Sequence, residues 1–191
     1  CTRVPEEAPR TFREAVQMYW FCHLGTILEL NGWDAMNPGH FDQHLAPFYE
    51  KEIAAGTLTR EQAKEYISCF WIKVNNHPAP PKVGITAKES GTYNDFTNIN
   101  IGGVKRDGTS GESEVSYILL EVLGELHILQ PGCSVHVSEK TSDDLLKAAC
   151  KVIRLGYGYP SLFNPDTYVK ELVRQGKSLE DAREGGCSGC I

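Results

Sequence analysis

The stretch Thr97-Asn98-Ile99-Asn100-Ile101-Gly102-Gly103 decides the fold, because polar and apolar residues alternate along it as in a β-strand and then stop at two glycines. Helix and strand patterns alternate after it at short spacing. They are a helix at 113–129, a strand at 134–137, a helix at 141–155, a strand at 159–163, and helices at 164–175 and 178–183. This order predicts βαβ units in a parallel sheet or barrel, with functional loops at the carboxyl ends of the strands.

The part of the chain before this stretch, residues 1–80, is predicted to be mainly helical. An apolar stripe with helical spacing begins at Thr11 and continues to Leu30, where Asn31-Gly32 is a plausible stop. Residues 33–48 resemble an ordered loop that turns at Asn37-Pro38-Gly39. Thr59 then opens a second helix with a capping box. Its expected buried face is Ala63, Ile67, Phe70, Trp71 and Val74.

Composition excludes several classes of function. The 191 residues carry a net charge of −6 without a cluster of Lys and Arg, which argues against binding to nucleic acid or to an anionic membrane. No apolar run reaches the roughly 18–20 residues of a membrane span. The seven cysteines are odd in number and mostly scattered, which favours a reducing, cytoplasmic setting over a disulfide framework. The chain opens on Cys1 and stops one residue after Cys190, so we expect a fragment of a longer protein.

Chemistry is most expected in the run Gly185-Gly186-Cys187-Ser188-Gly189-Cys190-Ile191. A Cys-x-x-Cys pair is compatible with a dithiol redox site, with half of a metal site, or with one working cysteine in a flexible loop; it is also compatible with inert buried thiols. A second pair of metal ligands at suitable spacing is absent. For His40 and His44, hydrogen bonding within a loop is favoured over metal ligation. The residues alone leave these alternatives open.

Several stretches, taken together and in order, resemble the glycyl radical enzymes of the pyruvate formate-lyase type. The first includes Pro9-Arg10-Thr11-Phe12, and the last is Gly189-Cys190-Ile191, which resembles the loop that carries the thiyl cysteine of the family. The full set covers residues 9–17, 20–24, 41–49, 98–103, 129–131, 156–160 and 189–191.

The resemblance implies part of a ten-stranded α/β barrel with flanking helices, with the cysteine loop reaching into the barrel centre. The chain is then one fragment, 1–191, of the catalytic domain, with strand–helix units from 97 to 191, and it is inactive alone. In this family a glycine on another loop, outside this chain, is converted to a radical by an activase that uses S-adenosylmethionine and an iron–sulfur cluster. That radical takes hydrogen from the cysteine, so Cys190 is the expected catalytic residue and Cys187 a loop residue. A small-molecule substrate and a homodimeric full-length protein are also implied, and no metal or bound cofactor is expected in the chain itself.

Departures from the family pattern shape the expected reaction. Pyruvate formate-lyase uses two adjacent cysteines, whereas Cys187 and Cys190 are three apart, so acyl transfer is disfavoured. Residues 29–34 and 89–96 also differ from the versions found in the dehydratase branches. Trp33, Tyr93 and Phe96 are the expected substrate contacts. The leading hypothesis is therefore a lyase that acts by 1,2-elimination, with C–S cleavage of a hydroxyalkylsulfonate as the nearest case. A dehydratase or an arylacetate decarboxylase is the alternative within the family, and a Cys-x-x-Cys metal or redox protein is the alternative outside it.

Overall fold

The structure is a computed structural model that describes residues 3–29, 36–76 and 97–188. Its helices and strands are α1 (Phe12–Glu29), β1 (Gly39–His40), α2 (Phe41–Ala54), α3 (Arg60–Asn76), β2 (Asn98–Gly102), α4 (Glu114–Leu126), β3 (Gly132–His136), α5 (Asp143–Ile153), β4 (Ser161–Phe163), α6 (Pro165–Arg174) and α7 (Leu179–Arg183). From β2 to α6 its strands and helices alternate.

The four described strands form one parallel sheet in the order β1-β2-β3-β4. One face of this sheet is apolar: Ile99 and Ile101 of β2 join Cys133 and Val135 of β3 in the hydrophobic core. Helix α4 packs against this core with a fully buried face. The parallel sheet with flanking helices confirms the predicted α/β class.

Local sequence signals place most helix ends where they were expected. The backbone amide of Thr59 donates to the Gln62 side chain at 2.9 Å, and the backbone amide of Gln62 donates to the Thr59 hydroxyl at 3.2 Å. The predicted capping box before α3 is therefore confirmed. The predicted buried face of α3 is also confirmed in full. Ser142 caps α5, and Asn164 followed by Pro165 caps α6.

The prediction of a loop over residues 33–48 is wrong from Gly39 onward, whereas residues 36–38 form neither helix nor strand. Gly39 and His40 form strand β1, and α2 begins immediately at Phe41 and continues through Pro47. The polar residues near 40–44 suggested a loop. However, Phe41 and Leu45 are fully buried on one side of a helix, and their burial outweighs the loop-like composition. The stop at Asn31-Gly32 lies outside the described residues.

Candidate active site

The second face of the sheet is polar and buried, which is unusual for a strand interior. Because side chains alternate along a strand, Asn98 and Asn100 of β2 lie on the face opposite Ile99 and Ile101. Ser134 and His136 of β3 lie on the same polar face, and His40 of β1 is in register with Asn100. Asn100 is 1 % exposed and His136 0 %. Buried polar groups need partners, so this face is arranged to hold something polar.

What Asn100 holds is the backbone of the cysteine loop, which we define as residues 185–188. The Asn100 Nδ2 group donates to the Cys187 carbonyl at 3.1 Å, and the Cys187 amide donates back to Asn100 Oδ1 at 3.2 Å. One side-chain amide therefore satisfies both backbone groups of one residue. This pairing carries the loop from α7 onto the polar face of the sheet.

Two histidines and a tyrosine support the same loop. His40 Nε2 donates to the Gly185 carbonyl at 2.9 Å, and the Tyr168 hydroxyl lies 3.1 Å from the same oxygen. His136 bridges the assembly, with Nε2 2.7 Å from Asn100 Oδ1 and Nδ1 3.0 Å from the Tyr168 hydroxyl. Burial, assisted by the nearby His40, lowers the pKa of His136 to about 3, so His136 is neutral at physiological pH.

The two glycines of the cysteine loop allow it to approach this closely. A Cβ placed on Gly186 would lie 2.6 Å from Asn100 Nδ2, and one placed on Gly185 would lie 2.9 Å from a methyl group of Leu172. Neither contact is compatible with a side chain unless a neighbour moves. Glycine is therefore favoured at both positions, where the loop meets the sheet and helix α6.

A buried carboxylate holds the end of β2 next to this site. Asp42 Oδ2 accepts from the Gly102 amide at 2.7 Å and from the Ser116 hydroxyl at 2.5 Å, while Gln43 Nε2 donates to the Gly102 carbonyl at 2.8 Å. Gly102 has a φ of +73°, which suits glycine. Burial raises the pKa of Asp42 to about 6, although its hydrogen bonds oppose the rise. Asp42-Gln43 of α2 and Gly102 at the end of β2 are distant in the sequence, but they are joined here by hydrogen bonds.

The expected site residues Cys190, Trp33, Tyr93 and Phe96 all lie outside the described residues, and their roles stay predictions. Cys187 is described and is 7 % exposed. Burial raises the pKa of its thiol, whereas the reactive cysteines of redox sites have a lowered pKa. Within the described ranges, no cluster of three His, Cys, Asp or Glu side chains could hold a metal ion.

Sequence reasoning missed the groups that hold the cysteine loop. The missed residues are His40, Asn100, His136 and Tyr168. A signal was available for two of them: Asn98-Ile99-Asn100 and Ser134-Val135-His136 place polar residues at every second position of strands that also carry core residues. In a parallel barrel such residues face the interior. No comparable signal marks Tyr168.

A family model described as pyruvate formate lyase-like matches residues 1–191. The chain belongs to this family. Within the pyruvate formate lyase-like family, one relative is trans-4-hydroxy-L-proline dehydratase of Clostridioides difficile, 52 % identical over 191 residues, which cover all of this chain and 24 % of the relative. The crystal structure of that dehydratase with its substrate bound has a TM-score of 0.94 and covers the same shares of the two chains. This similarity confirms that the sheet and helices are part of a glycyl radical enzyme barrel.

Other members of the family are less similar to this chain. The glycyl radical subunit of 4-hydroxyphenylacetate decarboxylase from Clostridioides difficile is 32 % identical over 192 residues, which cover 98 % of this chain and 21 % of the relative. Isethionate sulfite-lyase of Oleidesulfovibrio alaskensis is 29 % identical over 195 residues, covering all of this chain and 23 % of the relative. The chain thus spans about a quarter of the length of its curated relatives, and the resemblance to glycyl radical enzymes drawn from the sequence is confirmed.

Proposed function

We propose that the full-length protein containing this chain is a glycyl radical dehydratase that removes water from a small hydroxylated amino acid. The supporting observation is the cysteine loop, held by its backbone against the buried polar face of a parallel sheet. The 52 % identity to a hydroxyproline dehydratase, against 29 % to a sulfite-lyase, favours the dehydratase alternative over C–S cleavage. trans-4-Hydroxy-L-proline is therefore the first substrate to test.

In this proposal Cys190 is the catalytic residue. Its thiol gives a hydrogen atom to a glycyl radical on another part of the protein, and the resulting thiyl takes one from a substrate carbon next to the carbon that bears the hydroxyl. The hydroxyl group then leaves as water together with a proton that the substrate gives up, and the product radical takes a hydrogen atom back from Cys190. The thiyl left on Cys190 takes a hydrogen atom from the glycine, which restores the thiol and the glycyl radical. Each turnover thus releases one water and regenerates the starting thiol and radical. A dry, enclosed site is needed because stray donors would quench a radical.

The remaining elements of the proposal follow from the same reaction. Trp33, Tyr93 and Phe96 are proposed substrate contacts. A separate activase that uses S-adenosylmethionine and an iron–sulfur cluster is the proposed partner, the full-length protein is a homodimer, and the setting is the cytoplasm. Five cysteines of the described residues are free thiols, which fits a reducing compartment. No described helix has the length and apolarity to cross a bilayer.

The test uses full-length protein activated anaerobically by its activase and S-adenosylmethionine. We expect a glycyl radical signal by electron paramagnetic resonance, and conversion of trans-4-hydroxy-L-proline to a product lighter by one water. Isethionate and 4-hydroxyphenylacetate are tested as alternative substrates. Release of sulfite from isethionate, with hydroxyproline unchanged, would establish C–S cleavage instead. A radical-bearing protein that converts only 4-hydroxyphenylacetate would establish a decarboxylase.

A further inference from the structure

The hydrogen bonds around the cysteine loop fix the orientation of the Asn100 amide and the proton on His136. Because the Cys187 amide must donate, the atom it meets on Asn100 is the oxygen, and the Asn100 nitrogen faces the Cys187 carbonyl. His136 Nε2 lies 2.7 Å from that same oxygen, so Nε2 carries the hydrogen of this neutral imidazole. His136 Nδ1 is then an acceptor, 3.0 Å from a Tyr168 hydroxyl that also lies 3.1 Å from the Gly185 carbonyl.

The position of the proton on the second histidine, His40, follows from the same reasoning. A carbonyl oxygen only accepts, so His40 Nε2 carries the hydrogen in its 2.9 Å bond to the Gly185 carbonyl. In this tautomer His40 Nδ1 carries no hydrogen; it is buried and has no hydrogen-bond partner among the described residues. His136 thus locks the orientation of the Asn100 amide, since a flipped amide would oppose a donor to the imidazole N–H and to the Cys187 N–H.

We propose that Asn100 is a positioning residue of the radical chemistry: its amide, oriented by His136, holds both backbone groups of Cys187 and so sets where the chain departs toward Cys190. This inference rests on the proposed function for its kinetic consequence, but the anchoring itself is a property of the folded chain. Asn100 acts through the loop backbone. Its loss therefore lowers the rate of hydrogen transfer and leaves substrate affinity nearly unchanged.

Two neighbouring asparagines provide a matched pair of variants. Asn100→Leu keeps the approximate volume and removes both bonds to Cys187. Asn98→Leu makes the same change on the same face two residues earlier, where the side chain accepts from Ser134 Oγ at 3.1 Å and has no bond to the loop. Asn100→Ala, which removes the amide without adding apolar bulk, replaces Asn100→Leu if that variant does not fold.

The first measurement is alkylation of Cys187 by N-ethylmaleimide in the full-length, unactivated protein, followed by peptide mass spectrometry. We expect the rate to rise by about tenfold or more in Asn100→Leu, since two hydrogen bonds that close the loop are lost. In Asn98→Leu we expect the rate to stay within about twofold of the wild type, because the loop bonds remain. Equal rates in Asn100→Leu and wild type, or equal increases in both variants, would overturn the anchoring.

The second measurement compares the kinetics of the activated enzymes. For Asn100→Leu we expect wild-type glycyl radical content, a kcat lower by about thirtyfold or more, and a KM within about threefold, the pattern of a misplaced reacting group. Faster alkylation with unchanged kcat would overturn the positioning role. The alkylation result needs no radical, so it remains decisive for the anchor even if the full-length protein shows no radical and the proposed function fails.

Discussion

Adding one methyl group to the cysteine loop provides an independent test of its contact with the sheet. In Gly186→Ala the new Cβ would lie 2.6 Å from Asn100 Nδ2 and 3.0 Å from Asn100 Cγ. The two residues must separate by roughly 0.8 Å to reach ordinary van der Waals contact. Gly186 is not among the glycines with positive φ, so alanine fits the backbone and the effect is confined to this clash.

The magnitude follows from the bonds that this separation breaks. A shift of that size takes the 3.1 Å and 3.2 Å bonds between Asn100 and Cys187 beyond hydrogen-bonding distance. Each bond between neutral groups contributes about 0.5–1.5 kcal/mol net, so the anchored loop loses about 1–3 kcal/mol. We therefore expect kcat to fall between about fivefold and 150-fold, because each 1.4 kcal/mol corresponds to a factor of ten.

The assay is a double-mutant cycle in the activated full-length protein, with kcat and Cys187 alkylation as readouts. In an Asn100→Ala background the clashing atoms are absent, so Gly186→Ala should lower kcat by less than about threefold further. Additive effects of the two substitutions would refute the contact as the cause. So would a Gly186→Ala protein with wild-type kcat and wild-type alkylation.

Three further results are expected. Cys190→Ser in the full-length protein should abolish turnover while the glycyl radical remains detectable by electron paramagnetic resonance, whereas Cys187→Ser should retain much of the activity; complete loss in Cys187→Ser would contradict the assignment of the two sulfurs. Ser116→Ala removes a donor to the Asp42 carboxylate and should raise the Asp42 pKa further above about 6. A group whose pKa is raised in the folded state loses stability as the pH rises through that pKa. We therefore expect the variant to lose about 1.5–3 kcal/mol of unfolding free energy at pH 8 but only about 1 kcal/mol at pH 5, measured by thermal unfolding. An equal loss at both pH values would show that Asp42 does not titrate in this range. Arg60→Ala breaks two ion pairs between α3 and α4, whose side chains are 34–46 % exposed. Because exposed ion pairs contribute little, we expect the free energy of unfolding to fall by less than about 1 kcal/mol, measured by thermal unfolding. A loss of several kcal/mol would contradict this expectation.

Much of the fold could be predicted because its signals are local. The strand ending at Gly102, the capping box at Thr59 and the helix that begins near residue 164 depend on residues within a few positions of one another, and each prediction was confirmed. The failure at residues 39–48 has the opposite cause. Helix α2 forms where its composition resembles a loop, because Phe41 and Leu45 are buried by other elements that no local pattern reveals.

By itself the sequence determined most of the order of strands and helices, the parallel sheet, and the resemblance to a radical enzyme family. Only the tertiary structure decided which groups hold that loop. Asn100 and Cys187 are 87 residues apart in the chain, and His40 and Gly185 are 145 apart. These contacts arise because parallel strands bring their carboxyl ends to one edge. The alternation of polar residues marks a polar face of the sheet, but it does not show which distant residue will bond to that face.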